Sequence, residues 1–143
     1  MSVVLVPDAS VLLKWALRSD DEPHRDHALA LKTAWLDGRC DLVVPTLWVC
    51  EVGNILGLKQ PGVADALLAA MVDLGMAEVN PATYYSSIFR LMRDHRVTFY
   101  DAAYHALAIE RRATMLTADA TYVRKAGRAG HVQRLDMWVL PTS

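Results

Sequence analysis

At 143 residues the chain has the length of one ordinary domain, and the expectation is a single unit spanning 1–143. Its 53% hydrophobic content is enough to bury a core, which excludes a disordered chain and a disulfide-stapled mini-scaffold. With 15 Lys plus Arg against 16 Asp plus Glu the formal charge is −1, so there is no global attraction to polyanions, and any nucleic-acid contact has to be made through a local patch or a metal.

Short β-rich runs alternate with longer stretches of helical period, the pattern of an α/β fold in which helices cover both faces of a parallel sheet of four to five strands. Val3-Val4-Leu5-Val6 is apolar at consecutive positions, as a strand buried on both faces should be. A helix follows at 10–17, then the acidic turn Ser19-Asp20-Asp21-Glu22-Pro23 and a longer amphipathic helix ending near Gly38. The second strand is expected at 42–44, with Pro45 and Thr46 opening a helix to about residue 58. Beyond Pro61 and Gly62, residues 63–74 have helical spacing, with Leu67, Leu68, Met71 and Val72 on one side. A third strand is expected at 76–79. Pro81 suits the first turn of a helix reaching about residue 94, and another helix covers 98–112. Residues 113–116 read as the fourth strand, 120–126 as a helix closed by Gly127, and 132–135 as the fifth strand.

The first residues have neither a basic leader nor a small-residue cleavage site, and no stretch reaches the roughly 18 apolar residues of a membrane span, so a cytoplasmic protein without membrane association is expected. Cys40 and Cys50 form no CxxC pair and read as buried apolar residues.

Four acids stand where a solvated carboxylate is not the obvious expectation. Asp8 closes the first strand in Val6-Pro7-Asp8-Ala9-Ser10, and Asp119 ends the fourth in Leu116-Thr117-Ala118-Asp119. Open parallel sheets bind ligands beyond the carboxyl ends of their strands, so two acids at that edge can converge. Glu51 lies in the apolar helix Leu47-Trp48-Val49-Cys50-Glu51-Val52-Gly53-Asn54-Ile55-Leu56, with Asn54 on the same face. Asp101 is embedded in Thr98-Phe99-Tyr100-Asp101-Ala102-Ala103-Tyr104-His105-Ala106. Structural duties compete for each: Asp8 and Asp119 suit N-caps, Asp101 completes a capping box with Thr98, and Glu51 could accept a buried bond from a distant Arg. Jointly these duties explain less, because four converging carboxylates are stable and ionised only around a hard cation. All-oxygen ligation selects Mg²⁺ or Mn²⁺ over zinc, and a carboxylate-held Mg²⁺ that keeps several waters is a standard device for attacking phosphodiesters.

The Asp8-Ala9-Ser10-Val11-Leu12-Leu13-Lys14-Trp15 opening, the Glu51-Val52-Gly53-Asn54 segment, the Tyr100-Asp101-Ala102-Ala103-Tyr104-His105-Ala106-Leu107-Ala108 helix and the Leu116-Thr117-Ala118-Asp119 strand end together resemble the PIN-domain ribonucleases, and among them the VapC-type toxins of bacterial toxin–antitoxin pairs. The likeness runs from the first strand to the helix after Asp119; from Asp136 to Ser143 it is loose. It implies a three-layer α/β/α fold, a Mg²⁺-dependent endoribonuclease that uses a metal-activated water, a homodimer, and neutralisation by a VapB-type antitoxin. The family's acidic quartet falls on Asp8, Glu51, Asp101 and Asp119, as metal ligands or, for Glu51, ligand or base. Ser10, Asn54 and Thr117 match its supporting polar positions. The substrate would be RNA, tRNA and rRNA among the candidates, and the inhibitor would place an Arg or Lys among the four acids.

Two other readings compete. A phosphoacceptor domain of receiver or phosphatase type would also put an acid at Asp8, but it wants a further acid where Ser10 stands or an acidic pair at the strand end. A non-catalytic RNA- or protein-binding module on the same fold has no reason to keep four repelling carboxylates. Of the remaining residues, His105 is a candidate to line the site or to pack, and Lys14 to touch a phosphate or remain solvated. Arg111-Arg112, Arg124-Lys125 and Arg128 are the densest basic groups, and Gly53 and Gly57 form no phosphate loop.

Overall fold

The computed structural model describes residues 3–17 and 22–140. Most of the acidic turn expected at 19–23 and the last residues of the tail lie outside them. Five parallel strands and seven α-helices are formed by the described residues. The strands are β1 (Val4–Pro7), β2 (Asp41–Pro45), β3 (Ala77–Val79), β4 (Thr114–Thr117) and β5 (Val132–Arg134), in the spatial order β3-β2-β1-β4-β5. The helices are α1 (Ala9–Ala16), α2 (Arg25–Leu36), α3 (Trp48–Lys59), α4 (Ala64–Asp73), α5 (Tyr85–His95), α6 (Phe99–Glu110) and α7 (Ala120–Ala126).

The three inner strands are apolar at successive positions because both of their faces are covered. In β1, Leu5 and Val6 are buried; Leu5 registers with Leu42 of β2 and with Thr114 of β4. The edge strand β3 is mostly exposed and is tied down by a side chain, the Trp48 Nε1–H donating to Glu78 at 2.5 Å.

Connections sort the helices into two layers. The chain moves outward from β1 to β2 and β3 through α1 to α4, which pack on one another, then crosses back over β1 through α5 and α6 and continues to β5 through α7, which packs on α5. Helix α6 lies against β1, β2 and β4, and its inward residues Ala102, Ala103 and Ala106 are fully buried. Side chains this small let the helix come close to the sheet. In the other layer the Trp15 indole donates to the Ala28 carbonyl at 2.8 Å, joining α1 to α2. The expected three-layer α/β/α fold is thus present, with all strands parallel.

Several local expectations are corrected. The helix expected from Pro81 to about residue 94 is interrupted: Pro81–Thr83 forms a 3-10 turn capped by Asn80, and α5 starts only at Tyr85. Between them Tyr84 leaves helical geometry (φ −146°) so that its buried hydroxyl reaches the Ala103 carbonyl on α6 at 2.9 Å. That tertiary bond outweighs local helix continuity. Of Leu67, Leu68, Met71 and Val72, expected on one side of the helix, Val72 is 52% exposed and Met71 is the one that is fully in the core. β5 stops at Arg134, because buried Leu135 turns into a 3-10 segment. Cys40 is buried as expected, whereas Cys50 is exposed on the outer side of α3.

Candidate active site

The sheet order reverses at β1: the chain leaves β1 into one helical layer and leaves β4 into the other. The helices diverge there, opening a crevice outside the carboxyl ends of β1 and β4. Asp8 directly follows β1, and Asp119 stands two residues beyond β4.

Both acids are N-caps, and the cap is what holds each one in the crevice. Asp8 is only 6% exposed; its Oδ1 accepts the Val11 N–H at 3.2 Å and the Ser10 hydroxyl at 2.5 Å. Ser10 also accepts the Ala118 N–H at 3.0 Å, so one hydroxyl joins the ends of β1 and β4. Asp119 Oδ1 accepts the N–H groups of Thr121 and Tyr122 at 2.9 and 3.2 Å, and its own N–H donates to Thr117 Oγ1 at 3.0 Å. Capping and site-building are therefore the same contacts, not rival explanations.

The other two acids come from helices in opposite layers. Glu51 sits half-buried in the first turn of α3, and the Tyr104 hydroxyl of α6 donates to its Oε1 at 2.8 Å; among the described residues no Arg bonds to it. Asp101 occupies the first turn of α6, where its N–H donates to the capping Thr98 hydroxyl at 3.3 Å. Tyr104 is three residues beyond Asp101 and shares its helix face. The bond to Glu51 therefore brings the Asp101 face of α6 to the Glu51 side of the crevice.

Electrostatics tie the four together. Burial pushes the Asp8 carboxyl up from 3.8 to about 6; bonds from Ser10, Thr117 and Val11 oppose the shift and the charge of Asp101 adds to it. Glu51 is raised to about 6, first by burial and then by Asp101 and Asp8, against the stabilising bond from Tyr104. Asp101 is raised by burial and by Asp119, with Thr98 and Lys125 of α7 pulling the other way. Each acid is thus coupled to at least one other. Oxygen donors that raise one another's pKa fit a hard cation, which removes the repulsion and the proton together. Among the described residues no group of three or more carboxylate, imidazole or thiol side chains is close enough together to hold a metal ion. A Mg²⁺-like ion that keeps several waters and takes one or two carboxylates directly does not need such a group.

Of the supporting positions, Ser10 and Thr117 are in the site, while Asn54 is exposed on α3 and its side chain makes no hydrogen bond among the described residues. His105 does not face the crevice. It is fully buried, its Nε2 donates to the Gly130 carbonyl at 2.6 Å, and its Nδ1 lies 2.6 Å from the Tyr122 hydroxyl, which must then donate. Burial lowers its pKa and keeps it neutral, so it fastens α6 to α7. Lys14 neither touches the crevice nor is solvated. It is 5% exposed and paired with Glu22 at 2.8 Å, because its stem runs through the core while its ammonium reaches the chain entering α2. Tyr104 was given no role by sequence reasoning, although its three-residue spacing from Asp101 was the available signal.

A parallel sheet whose switch point gathers carboxylates defines a class of α/β proteins built around an oxygen-lined crevice. A family model described as the PIN domain matches residues 5–128, and the chain belongs to that family. Comparison with curated proteins finds no match. Among solved structures, the chain is similar to PAE2754 of Pyrobaculum aerophilum, at 22% identity and a TM-score of 0.68 over 95% of this chain and 92% of that one. It is also similar to VapC20 of Mycobacterium tuberculosis, described as a toxin that cleaves the sarcin–ricin loop, at 17% identity and a TM-score of 0.65 over 96% and 99%. A third likeness is to a toxin–antitoxin complex from Klebsiella pneumoniae, at 15% identity and a TM-score of 0.65 over 94% and 98%. At these identities the three share the fold.

Proposed function

We propose that the chain is a single PIN domain over 1–143 that acts as a Mg²⁺- or Mn²⁺-dependent endoribonuclease, the toxic member of a toxin–antitoxin pair. The observation that carries this reading is the electrostatic coupling of Asp8, Glu51, Asp101 and Asp119 at the switch point, with burial and mutual charge raising Asp8, Glu51 and Asp101. Family membership and the neighbours described as toxins or toxin–antitoxin complexes support it.

Asp8, Asp101, Asp119 and Glu51 would hold the ion, which when bound supplies positive charge to the phosphodiester and makes a coordinated water acidic enough to attack. The chain's own residues do the rest. The cap on α1 and the Ser10 bridge hold Asp8 at one orientation. Tyr104 holds one oxygen of Glu51, leaving the other to accept a proton from the attacking water, and a carboxyl titrating at about 6 is suited to that task near neutrality. Attack by water leaves 5′-phosphate and 3′-hydroxyl ends.

The partner would be a VapB-type antitoxin placing an Arg or Lys among the four acids, a charge-assisted pairing that mimics the ion. RNA is the substrate, tRNA and rRNA loops being the first to test given the neighbour described as cleaving the sarcin–ricin loop. A homodimer is supported by an apolar patch on α5 and α6, where Tyr85 packs edge-on to Phe89 and Phe89 to Phe99, with Tyr85, Phe89 and Tyr100 each more than half exposed. No described helix is long and apolar enough to cross a membrane; we place the protein in the cytoplasm, where its RNA substrate is.

Incubating the purified protein with tRNA and rRNA in Mn²⁺, with and without EDTA, tests the reading. Cleavage that stops on chelation and in Asp8→Asn is expected. Cleavage that survives either treatment overturns it.

A further inference from the structure

Beside the acids lies a small cavity that the ribonuclease reading leaves unused. It has a volume of about 80 Å³ and is lined by Arg96, Thr98, Asp101, Asp119, Thr121 and Lys125, between the end of α5 and the start of α7. It is large enough to admit a phosphate-sized anion.

Its polar inventory is two-sided. Asp101 and Asp119 belong to the acid crevice, and Arg96 and Lys125 bring two basic side chains to the same cavity. Thr98 is committed to Asp101, accepting its N–H at 3.3 Å and stabilising its carboxylate through the hydroxyl, whereas Thr121 Oγ1 accepts from the Arg124 guanidinium at 3.0 Å, which leaves its hydroxyl hydrogen to donate. Among the described residues the Thr121 hydroxyl donates to no protein acceptor. The wall therefore presents two basic side chains and one free O–H donor, the chemistry that receives an anion. Lys125 is close enough to Asp101 to oppose the rise in its pKa, which places the cation at the boundary between the two halves. Asp8 and Glu51 do not line this cavity, so it is the outer end of the crevice and not its middle.

We propose that this cavity is a subsite for an RNA phosphate adjacent to the one that is cut, gripped by Lys125 and Arg96 with the Thr121 hydroxyl. The strand then leaves the acids over the turn between α5 and α6 and the face of α7. The proposal rests on the ribonuclease reading and adds to it the direction of the strand. It also divides the exposed basic groups, because Arg111 and Arg112 follow α6 at its far end, roughly 15 Å along the axis from Asp101.

The test is the salt dependence of cleavage of an RNA that the wild-type protein cuts in Mn²⁺. Lys125→Ala and Arg96→Ala should each raise KM roughly three- to tenfold with kcat little changed. Each should flatten the plot of log KM against log salt by about 0.7, the loss of one single-strand phosphate contact. Lys125→Arg should restore the wild-type slope, and the double change Arg111→Ala with Arg112→Ala should leave KM and slope unaltered. A Mn²⁺-induced rise in melting temperature equal to wild type shows that each variant is folded with its acids intact. Variants that pass this control but keep the wild-type KM and slope, or lose kcat instead of KM, overturn the subsite while the ribonuclease reading stands. If the wild-type protein cuts no RNA, both fall together.

Discussion

The two ends of the acid crevice are built on opposite terms. At the inner end Asp8 is almost fully buried, Glu51 is half-buried, and their support among the described residues is neutral: hydroxyls from Ser10, Thr117 and Tyr104 and the backbone N–H of Val11. At the outer end Asp119 is exposed and Asp101 half-exposed, and Lys125 and Arg96 stand beside them. Burial without a cation leaves a carboxylate wanting a proton or a metal. Exposure with a cation leaves it ready for solvent and for a passing anion. The contrast suits the interior to holding an ion and the rim, with its cations, to meeting an anion.

The largest effect should come from breaking the inner end. Asp8→Asn keeps the size of the side chain and a capping oxygen but removes the charge. It should cut the rate of RNA cleavage by at least about a thousandfold, equivalent to roughly 4 kcal/mol, and abolish the melting-temperature rise with Mn²⁺. A variant that still gains stability from Mn²⁺ would show that Asp8 is not needed to hold the ion.

Next comes pH. The native Asp8 and Glu51 carboxyls titrate at about 6, above their ordinary 3.8 and 4.5, so between those limits the folded chain binds protons more tightly than the unfolded one. Metal-free protein should therefore be most stable at the acid side of this window and lose stability as pH rises through it, by roughly 3 kcal/mol for Asp8 alone. Mn²⁺ should reverse the trend, with a larger melting-temperature gain at about pH 7.5 than at about pH 5 because protons compete for the same oxygens. Thermal denaturation across pH, with and without Mn²⁺, measures both limbs.

A smaller change is expected at the bridge between layers. Tyr104→Phe deletes one hydroxyl, leaving the half-buried Glu51 without its donor, at a cost of about 1–2 kcal/mol in stability. Its cleavage rate should fall roughly tenfold. The acid limb of its pH–rate profile should move upward, since the lost bond favoured the charged form. An unmoved profile would mean that Tyr104 only packs. Smallest of all, Asn54→Ala removes an exposed side chain and should change stability by less than about 0.5 kcal/mol and kcat little.

Much of this was legible in the sequence because the central strands are short and apolar on consecutive positions and the acids interrupt apolar surroundings. The parallel sheet, its five strands, the caps at Asp8 and Asp119 and the Thr98 cap over Asp101 all follow from local pattern. The misread places are those where a distant contact prevailed. Tyr84 breaks a helix to reach Ala103, Lys14 is drawn inside by Glu22, and Cys50 and Val72 face outward, uncovered by any described element.

Residue type and spacing alone thus set which acids were unusual and which strands they ended. Local propensity and capping depend on neighbours a few residues away, and the sequence states those directly. Only the tertiary structure decided that Tyr104 would hold Glu51, that Lys125 and Arg96 would share a wall with Asp101 and Asp119, and that His105 would fasten helices instead of facing the crevice. The Tyr104–Glu51 bond joins residues 53 positions apart and the His105–Tyr122 bond residues 17 apart, and such relations exist because a reversal in strand order brings two helical layers to the same sheet edge.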